Sequence, residues 1–374
     1  MSGIYIHIPF CRQACHYCDF HFSTSVINRR EMVNALIKEI VLRNDYLPDR
    51  KIDTIYFGGG TPSLLSAAEL MLIFDKLKEL YNIIPNAEVT LEANPDDLTK
   101  EYIHQLSNTP VNRLSIGIQS FNDDDLRWMN RTHTSETAVQ SVMNAAEEGF
   151  ENISIDLIYG LPNNSLAVWQ ENVKRAMSLP VTHLSCYCLT VEPRTTLAHH
   201  IKIGKSSAVD DDQSSEQFIW LMEFAAQHGY EHYEISNFCK PGHYSIHNTS
   251  YWQGLPYLGI GPSAHSYDGS SRQWNISNNP LYIKQDPEGP LLFTKELLSA
   301  NDKFNEYVMI SLRTSKGIDL NYLSEHFGSE LSSNLLKEAT PYIIDKSLEE
   351  TIGHLLLTRQ GKLIADRIAS DLFI

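Results

Sequence analysis

The sequence predicts an α/β fold: six parallel strands in an open, partial (β/α)6 barrel of the TIM type, followed by a smaller, mainly helical domain. Three observations point there. Six strand-like segments alternate with segments of helical spacing between residues 3 and 189. The residues able to do chemistry fall at or just past the C-terminal ends of those strands, the face where parallel sheets place their sites. From about residue 200 the alternation stops, and a polar stretch over 205–212, read as a loop, introduces a different pattern.

Taken in order, Gly3-Ile-Tyr-Ile-His-Ile-Pro9 is β-branched and aromatic and is stopped by Pro9, so it reads as a strand. Asn28 to Tyr46 has helical spacing, with Met32, Leu36 and Ile40 on one face. Ile52 to Phe57 is the second strand, ended by Gly58-Gly-Gly-Thr-Pro62. Ser66 to Tyr81 is a helix, with Ser66 as N-cap and Glu69 at the capping-box position. Ala87 to Ala93 is the third strand, stopped at Asn94-Pro95 and followed by a short helix over Leu98–Leu106. Arg113 to Gln119 and Asn152 to Tyr159 are the fourth and fifth strands, with a helix over Ser135–Glu148 between them. After Gly160-Leu-Pro162 come a helix over Leu166–Met177 and a sixth strand over His183–Leu189. Right-handed crossovers join such strands into a parallel sheet, and six fall short of a closed eight-strand barrel. Beyond them lie a helix over Glu216–His228, the run Tyr230–Phe238, and a segment over 243–267 rich in Gly, Pro, His and aromatics. The expected division is 1–200 for the partial barrel, 201–285 for a segment completing it, and 286–374 for the C-terminal domain, with Leu355–Lys362 as a β-turn-β wing.

The 374 residues, 42% hydrophobic and 20% charged, suit a soluble globular protein with a large core. A net charge of -16 disfavours sequence-independent phosphate binding, so nucleic acid is not an expected partner. Six cysteines, three of them clustered, argue for a reducing compartment over a disulfide framework. No apolar run reaches the ~18 residues of a membrane span, and the N-terminus reads as a strand instead of a signal peptide. The expectation is a cytoplasmic protein whose meeting with any membrane is peripheral.

Directly after the first strand come Cys11, Cys15 and Cys18, as Cys-x3-Cys-x2-Cys, in a loop with Tyr17 and Phe20. Three thiols so close at the mouth of a strand can face one point. A structural zinc site normally has four protein ligands, whereas a four-iron cluster held by three thiolates keeps one iron open to a chelating ligand. The residues favour the cluster and leave zinc and a redox thiol set open; His16 could complete a zinc site but sits in the cramped Cys15–Cys18 loop. Cys186 and Cys188 lie on one face of the sixth strand and could bind metal together, although buried structural cysteine, as also for Cys239, is the commoner fate.

With an aromatic just before the last cysteine, this motif resembles the signature of radical S-adenosylmethionine (radical SAM) proteins. The wider string Tyr5-Ile-His-Ile-Pro-Phe-Cys11 resembles the branch holding oxygen-independent coproporphyrinogen III dehydrogenases and heme chaperones. The resemblance covers nearly the whole chain and implies a [4Fe–4S] cluster on Cys11, Cys15 and Cys18, its fourth iron chelated by the amino and carboxylate groups of SAM. Reduction of such a cluster splits SAM to a 5′-deoxyadenosyl radical. The resemblance further implies SAM contacts at Gly59, Gly60 and Thr61 of the glycine turn, at Glu92, Gln119, Arg131 and Asp156, and at Tyr5 and Tyr17. From the residues alone, the glycine turn lets backbone approach a ligand closely, with a tight strand-to-helix turn the less common reading, whereas Glu92 alone is more commonly a solvated strand-end acid. The tail resembles the winged-helix-like C-terminal domain of this branch.

A second motif is His247-Asn-Thr-Ser-Tyr-Trp252. Its imidazole could ligate heme iron while the aromatics pack the macrocycle, and by chemistry alone a core or surface histidine is the commoner reading. The string resembles one found in the heme chaperones and absent from the dehydrogenase. Nearby Gly259-Ile-Gly-Pro-Ser-Ala-His-Ser266 resembles the same branch, with His265 a contact for substrate or heme, or a turn cap. Two departures also separate the chain from the dehydrogenase: Phe20 replaces a further cysteine two residues after the motif, and the first strand begins by residue 3, where that enzyme carries an extension. The expected function is therefore heme binding and transfer to an apo-haemoprotein acceptor, membrane-bound or not, with SAM cleavage incidental and a homodimer left open. The alternative is SAM-dependent oxidative decarboxylation of coproporphyrinogen III to protoporphyrinogen IX.

Overall fold

The computed structural model describes residues 1–162, 164–285 and 292–374, so the expected domain boundary at 285/286 lies outside the described residues. At the centre, β1 (Gly3–Ile8), β2 (Lys51–Gly59), β3 (Asn82–Ala93), β4 (Arg113–Gln119), β5 (Asn152–Tyr159) and β6 (His183–Cys188) lie side by side in chain order, all parallel. Later strands widen the sheet at both ends. Beyond β6, β7 (Glu231–Glu234) and β8 (Asn237–Cys239) add an antiparallel edge, with β8 next to β6. Beyond β1, β9 (Tyr257–Ile260) pairs in parallel, and β10 (His265–Tyr267), β11 (Ser271–Asn275) and β12 (Phe293–Leu297) follow antiparallel. The result is a mixed sheet of 12 strands with the six parallel ones at its heart.

Strand alternation sorts this sheet into two chemically different faces. Ile4, Ile6, Ile8, Ile55, Phe57, Leu91, Leu114, Ile116, Ile155 and Leu184 point outward and are buried beneath the helices Arg29–Leu42, Ala67–Leu80 and Leu166–Ser178. Leu36, Ile40, Ile73, Phe74, Trp169 and Val173 of those helices complete one continuous core. Each such aliphatic burial contributes about 2 kcal/mol. The opposite face is polar and aromatic: Tyr5 and His7, Thr54 and Tyr56, Thr90 and Glu92, Arg113 and Ser115, Ser154 and Asp156, His183 and Ser185. A lumen so lined is suited to a ligand, because apolar packing alone would not put these groups there.

The capping box at Ser66 forms as expected: the Glu69 N–H donates to Ser66 Oγ at 3.3 Å and the Ser66 N–H to Glu69 Oε2 at 2.9 Å. Several boundaries differ from the sequence reading, three of them by about five residues or more. The third strand starts at Asn82 instead of Ala87, because Asn82 and Ile83 pair with Lys51 and Ile52. The helix expected from Glu216 spans Asp211–Gln227, since the Asp210 carboxylate accepts from the Asp212 and Gln213 N–H groups at 3.0 and 3.1 Å and starts it inside the expected loop. The wing is a hairpin of Leu348–Thr351 with His354–Leu357, earlier than Leu355–Lys362. Its turn is Ile352-Gly353, with φ of 51° and 77°, and a fully exposed isoleucine disguises it as strand.

Phe304, Val308, Leu312, Leu323, Leu335, Leu355 and Ile368 form a second core in the C-terminal helical domain. Ile235 packs against both cores, and the Arg313 guanidinium lies 5.6 Å over the Trp252 ring. Among the described residues, no helix is long and apolar enough to cross a membrane.

Candidate cofactor site

Pro9 ends β1, and the chain then makes a loop whose neck is closed by Cys11 N–H donating to Ser23 O at 3.0 Å and Ser23 N–H to Pro9 O at 2.9 Å. Within that loop the three thiols are half-buried and free of disulfides. The loop is sewn to the turn 128–131. His16 N–H donates to Met129 O at 3.1 Å and His16 Nδ1 to Trp128 O at 2.7 Å, while Asn130 Nδ2 donates to Ala14 O at 2.7 Å. His16 is thus an anchor of the loop, with its Nδ1 committed to a carbonyl.

Two of the thiols are joined through the side chains of Thr61 and Asn94, just past the ends of β2 and β3, and of Arg131, which follows the short helix Asp123–Trp128 after β4. Thr61 Oγ1 donates to Cys11 Sγ at 3.5 Å, and Asn94 Nδ2 donates to Thr61 Oγ1 at 3.3 Å. Arg131 closes the chain, its Nη2 donating to Asn94 Oδ1 and Gly117 O at 2.7 Å each and its Nη1 to Cys15 Sγ at 3.4 Å. Donors aimed at sulfur stabilise thiolate charge. Burial pushes the Cys11 thiol up and the Cys18 thiol up to about 11. Among the described residues, no three His, Cys, Asp or Glu side chains converge enough to share one metal ion. A four-iron cluster takes one thiolate per iron, and three thiols in one loop, two of them receiving side-chain hydrogen bonds, are a donor set that fits three of its irons.

The glycine turn overlaps the end of β2, which runs to Gly59 in register with Ile8. Gly59 has φ of 104°, and a Cβ there would enter the His7 ring. A Cβ on Gly60 would lie 2.6 Å from Phe10 O and 2.7 Å from Ile8 O, the backbone that launches the cysteine loop. Gly60→Ala is therefore expected to destabilise the fold by about 1–3 kcal/mol and to lower iron content after reconstitution; parent-level iron and melting temperature would refute this.

Glu92 ends the inner row of β3. Its Oε1 accepts from Tyr56 OH at 2.7 Å and its Oε2 from Gly59 N–H at 3.1 Å. Burial pushes this carboxyl up to about 7 despite those donors. Asp156, one strand beyond Ser115, is pushed up to about 6 by burial and accepts from Ser115 Oγ at 3.3 Å. Tyr5 OH donates to His7 Nδ1 at 3.2 Å, and the other imidazole nitrogen of His7 donates to His21 O at 2.9 Å. Gln119 caps β4 with φ of 68°, a strained conformation of the kind found at ligand sites. Tyr17 packs against the small apolar cluster that includes Leu126 and Met129. The structure thus brings Tyr17, Gly59, Gly60, Thr61, Glu92, Gln119 and Arg131 to the end of the sheet that carries the thiols, with Tyr5 and Asp156 midway along β1 and β5 on its inner face. It adds Tyr56 and Asn94, which the sequence reading passed over. Tyr56 was signalled only by sharing the inner face of its strand with Gly58, and Asn94 only as a strand stop.

His247 lies elsewhere. It is 1% exposed, in the short helix Ile246–Trp252 that closes the opposite end of the lumen. Its N–H donates to Glu88 Oε1 at 2.9 Å; Nδ1 is 2.8 Å from Thr54 Oγ1 and Nε2 is 2.8 Å from Tyr251 OH. Thr54 stands five residues before Gly59 on β2, which puts His247 about 16 Å from the thiol end. Burial, aided by the Arg113 guanidinium, lowers its pKa to about 3, so the imidazole is neutral. Both ring nitrogens are hydrogen-bonded, so a metal could take Nε2 only by displacing the Tyr251 hydroxyl. Cys186 and Cys239 are buried, while Cys188 is exposed. His265 begins β10, half-stacked on Trp274 at 6.0 Å across the β10–β11 pair.

Residues 5–176 match the family model of the Radical SAM superfamily, and residues 298–364 match that of the HemN C-terminal domain. Together with three thiols at the mouth of a parallel, partial barrel, these matches define a radical SAM protein. The heme chaperone HemW of Bacillus subtilis (strain 168) is 35% identical over 377 residues, covering 98% of this chain and 98% of the relative. That of Lactococcus lactis is 33% identical over 360 residues, covering 96% and 94%. The chain belongs to the HemW family. Coproporphyrinogen III oxidase (HemN) from Escherichia coli shares the fold, with a TM-score of 0.86 at 24% identity, covering 100% of this chain and 90% of that one.

Proposed function

We propose that this protein binds heme and passes it to an apo-haemoprotein acceptor in a reducing compartment, carrying a [4Fe–4S] cluster on Cys11, Cys15 and Cys18 and exchangeable SAM beside it. The observation that carries the cofactor half is the hydrogen-bonded run Cys11–Thr61–Asn94–Arg131–Cys15, which ties two thiols to the turn and strand ends expected to seat SAM. The heme half rests on the HemW relatives and on the His247 motif. A bound cluster supplies an open iron for the amino and carboxylate groups of SAM and an electron for its cleavage. The chain's own residues set the rest. Arg131 places a guanidinium against Cys15 and offsets thiolate charge. Glu92, fixed by Tyr56 and Gly59, and Asp156, fixed by Ser115, offer acceptors to ribose hydroxyls or an ammonium group. His247 is the candidate axial heme ligand, neutral as ligation requires, and it would have to leave Tyr251 to serve.

The test is an anaerobic heme titration of the cluster-loaded protein, followed by absorption, beside His247→Ala. The expected result is a saturable Soret band whose affinity falls at least about tenfold in the variant. Equal binding by the variant would discard His247 as ligand, and no specific binding by the parent would overturn the proposal. Conversion of coproporphyrinogen III to protoporphyrinogen IX by the same preparation would replace it with the dehydrogenase reading.

A further inference from the structure

His247 touches more than its hydrogen-bond partners. Its ring stacks on the Tyr56 phenol, with centroids 5.0 Å apart and planes 25° apart. On a second side Tyr56 meets Tyr5, at 6.1 Å and 26°. The hydroxyl of the phenol so held is the donor to Glu92 Oε1 at 2.7 Å, and the other Glu92 oxygen receives the Gly59 N–H at 3.1 Å. His247 itself has little freedom, being pinned by Glu88, Thr54 and Tyr251. A contiguous path of rings and hydrogen bonds therefore runs from the closed end of the lumen to the thiol end.

We propose that His247 is a positioning residue for the SAM site: by stacking on Tyr56 it holds the phenol hydroxyl on Glu92, and so sets the carboxylate and the Gly59 turn for the ligand. This rests on the reading that Glu92 and Gly59 contact SAM. A tyrosine side chain keeps two torsions free unless neighbours fix them, and the fixed imidazole supplies that restraint from a residue that never touches the ligand. By linkage, whatever draws His247 away from Tyr56 also weakens SAM binding.

The test measures SAM affinity at equilibrium on anaerobically cluster-loaded full-length protein. The set is the parent, Glu92→Gln, Tyr56→Phe, His247→Leu, His247→Phe and the Tyr56→Phe/His247→Leu double variant. Tyr56→Phe and His247→Leu are each expected to weaken SAM about tenfold, and the double variant no more than either, because both act through one hydroxyl. His247→Phe, which keeps a flat ring over Tyr56 and loses the hydrogen bonds, is expected to restore most of the affinity; a merely structural role would predict the reverse. If His247→Leu does not fold, His247→Asn, which keeps a polar partner for Thr54 and loses the ring, carries the same expectation. Parent-like affinity in the His247 variants that lack a ring, with Glu92→Gln weakened, would overturn the inference alone, as would losses that multiply in the double variant. Unchanged affinity in Glu92→Gln would remove the underlying SAM site and the inference with it.

Discussion

Replacing any one of Cys11, Cys15 and Cys18 by alanine is expected to remove nearly all iron and acid-labile sulfide from the reconstituted protein, against roughly four of each per chain in the parent. A cluster with three protein thiolates has no spare donor. The remaining cysteines are poorly placed to substitute: Cys186 and Cys239 are buried, and Cys188 ends β6, five strands along the sheet from the β1 end that launches the thiol loop. The lost thiolate would also leave a donor without its acceptor, Thr61 Oγ1 at position 11 or Arg131 Nη1 at position 15. Cys186→Ala and Cys239→Ala are the controls and should keep parent-level iron. A full complement of iron in a single variant of the motif would show that the cluster is held otherwise.

Glu92→Gln should separate function from stability. Burial raises the Glu92 carboxyl from 4.5 to about 7. A carboxyl whose folded pKa lies above its unfolded value binds its proton more tightly when folded. It therefore costs nothing below about pH 4.5, where both states are protonated, and costs progressively more as pH rises to about 7, where the folded protein must hold a disfavoured charge. The full cost is about 3 kcal/mol. Above pH 7 the SAM-free Glu92→Gln protein is expected to melt several degrees higher than the parent, with the difference shrinking towards pH 4.5. Its SAM affinity should fall about tenfold or more, since a neutral amide replaces a charged acceptor. Thermal melts from pH 4.5 to 8, paired with SAM titrations, give both readings. A variant less stable than the parent at every pH would show that the hydrogen bonds from Tyr56 and Gly59 outweigh the buried charge.

Much of this was legible in the order of residues because it is local. Cys-x3-Cys-x2-Cys needs only a loop to bring its thiols together. Ser66 and Glu69 cap their helix across three positions, and Gly58-Gly-Gly marks where a strand ends, although β2 runs on to Gly59. The six central strands were recognisable because each alternates apolar outward residues with polar inward ones, as in Ile4, Ile6 and Ile8 against Tyr5 and His7. The edges of the sheet were not. β9, parallel to β1, is four residues in a Gly- and Pro-rich stretch, and its pairing partner lies some 250 positions away in the chain. The wing was misplaced because Ile352 sits in a turn with a strand-former's side chain.

By itself, then, the sequence determined the parallel core, its apolar outer face and the thiol loop, since these depend on periodicity and spacing over a few residues. Only the tertiary structure decided what lies opposite what. Thr61 and Asn94 follow β2 and β3 and Arg131 follows the helix after β4, and only the tertiary fold joins them between two cysteines. His247 reads as an available ligand in its own string, yet folding puts it at the far end of the lumen with Thr54, Tyr56 and Tyr251 around it. Long-range pairing, which burial of the whole sheet selects, assigns such neighbours, and no local pattern encodes them.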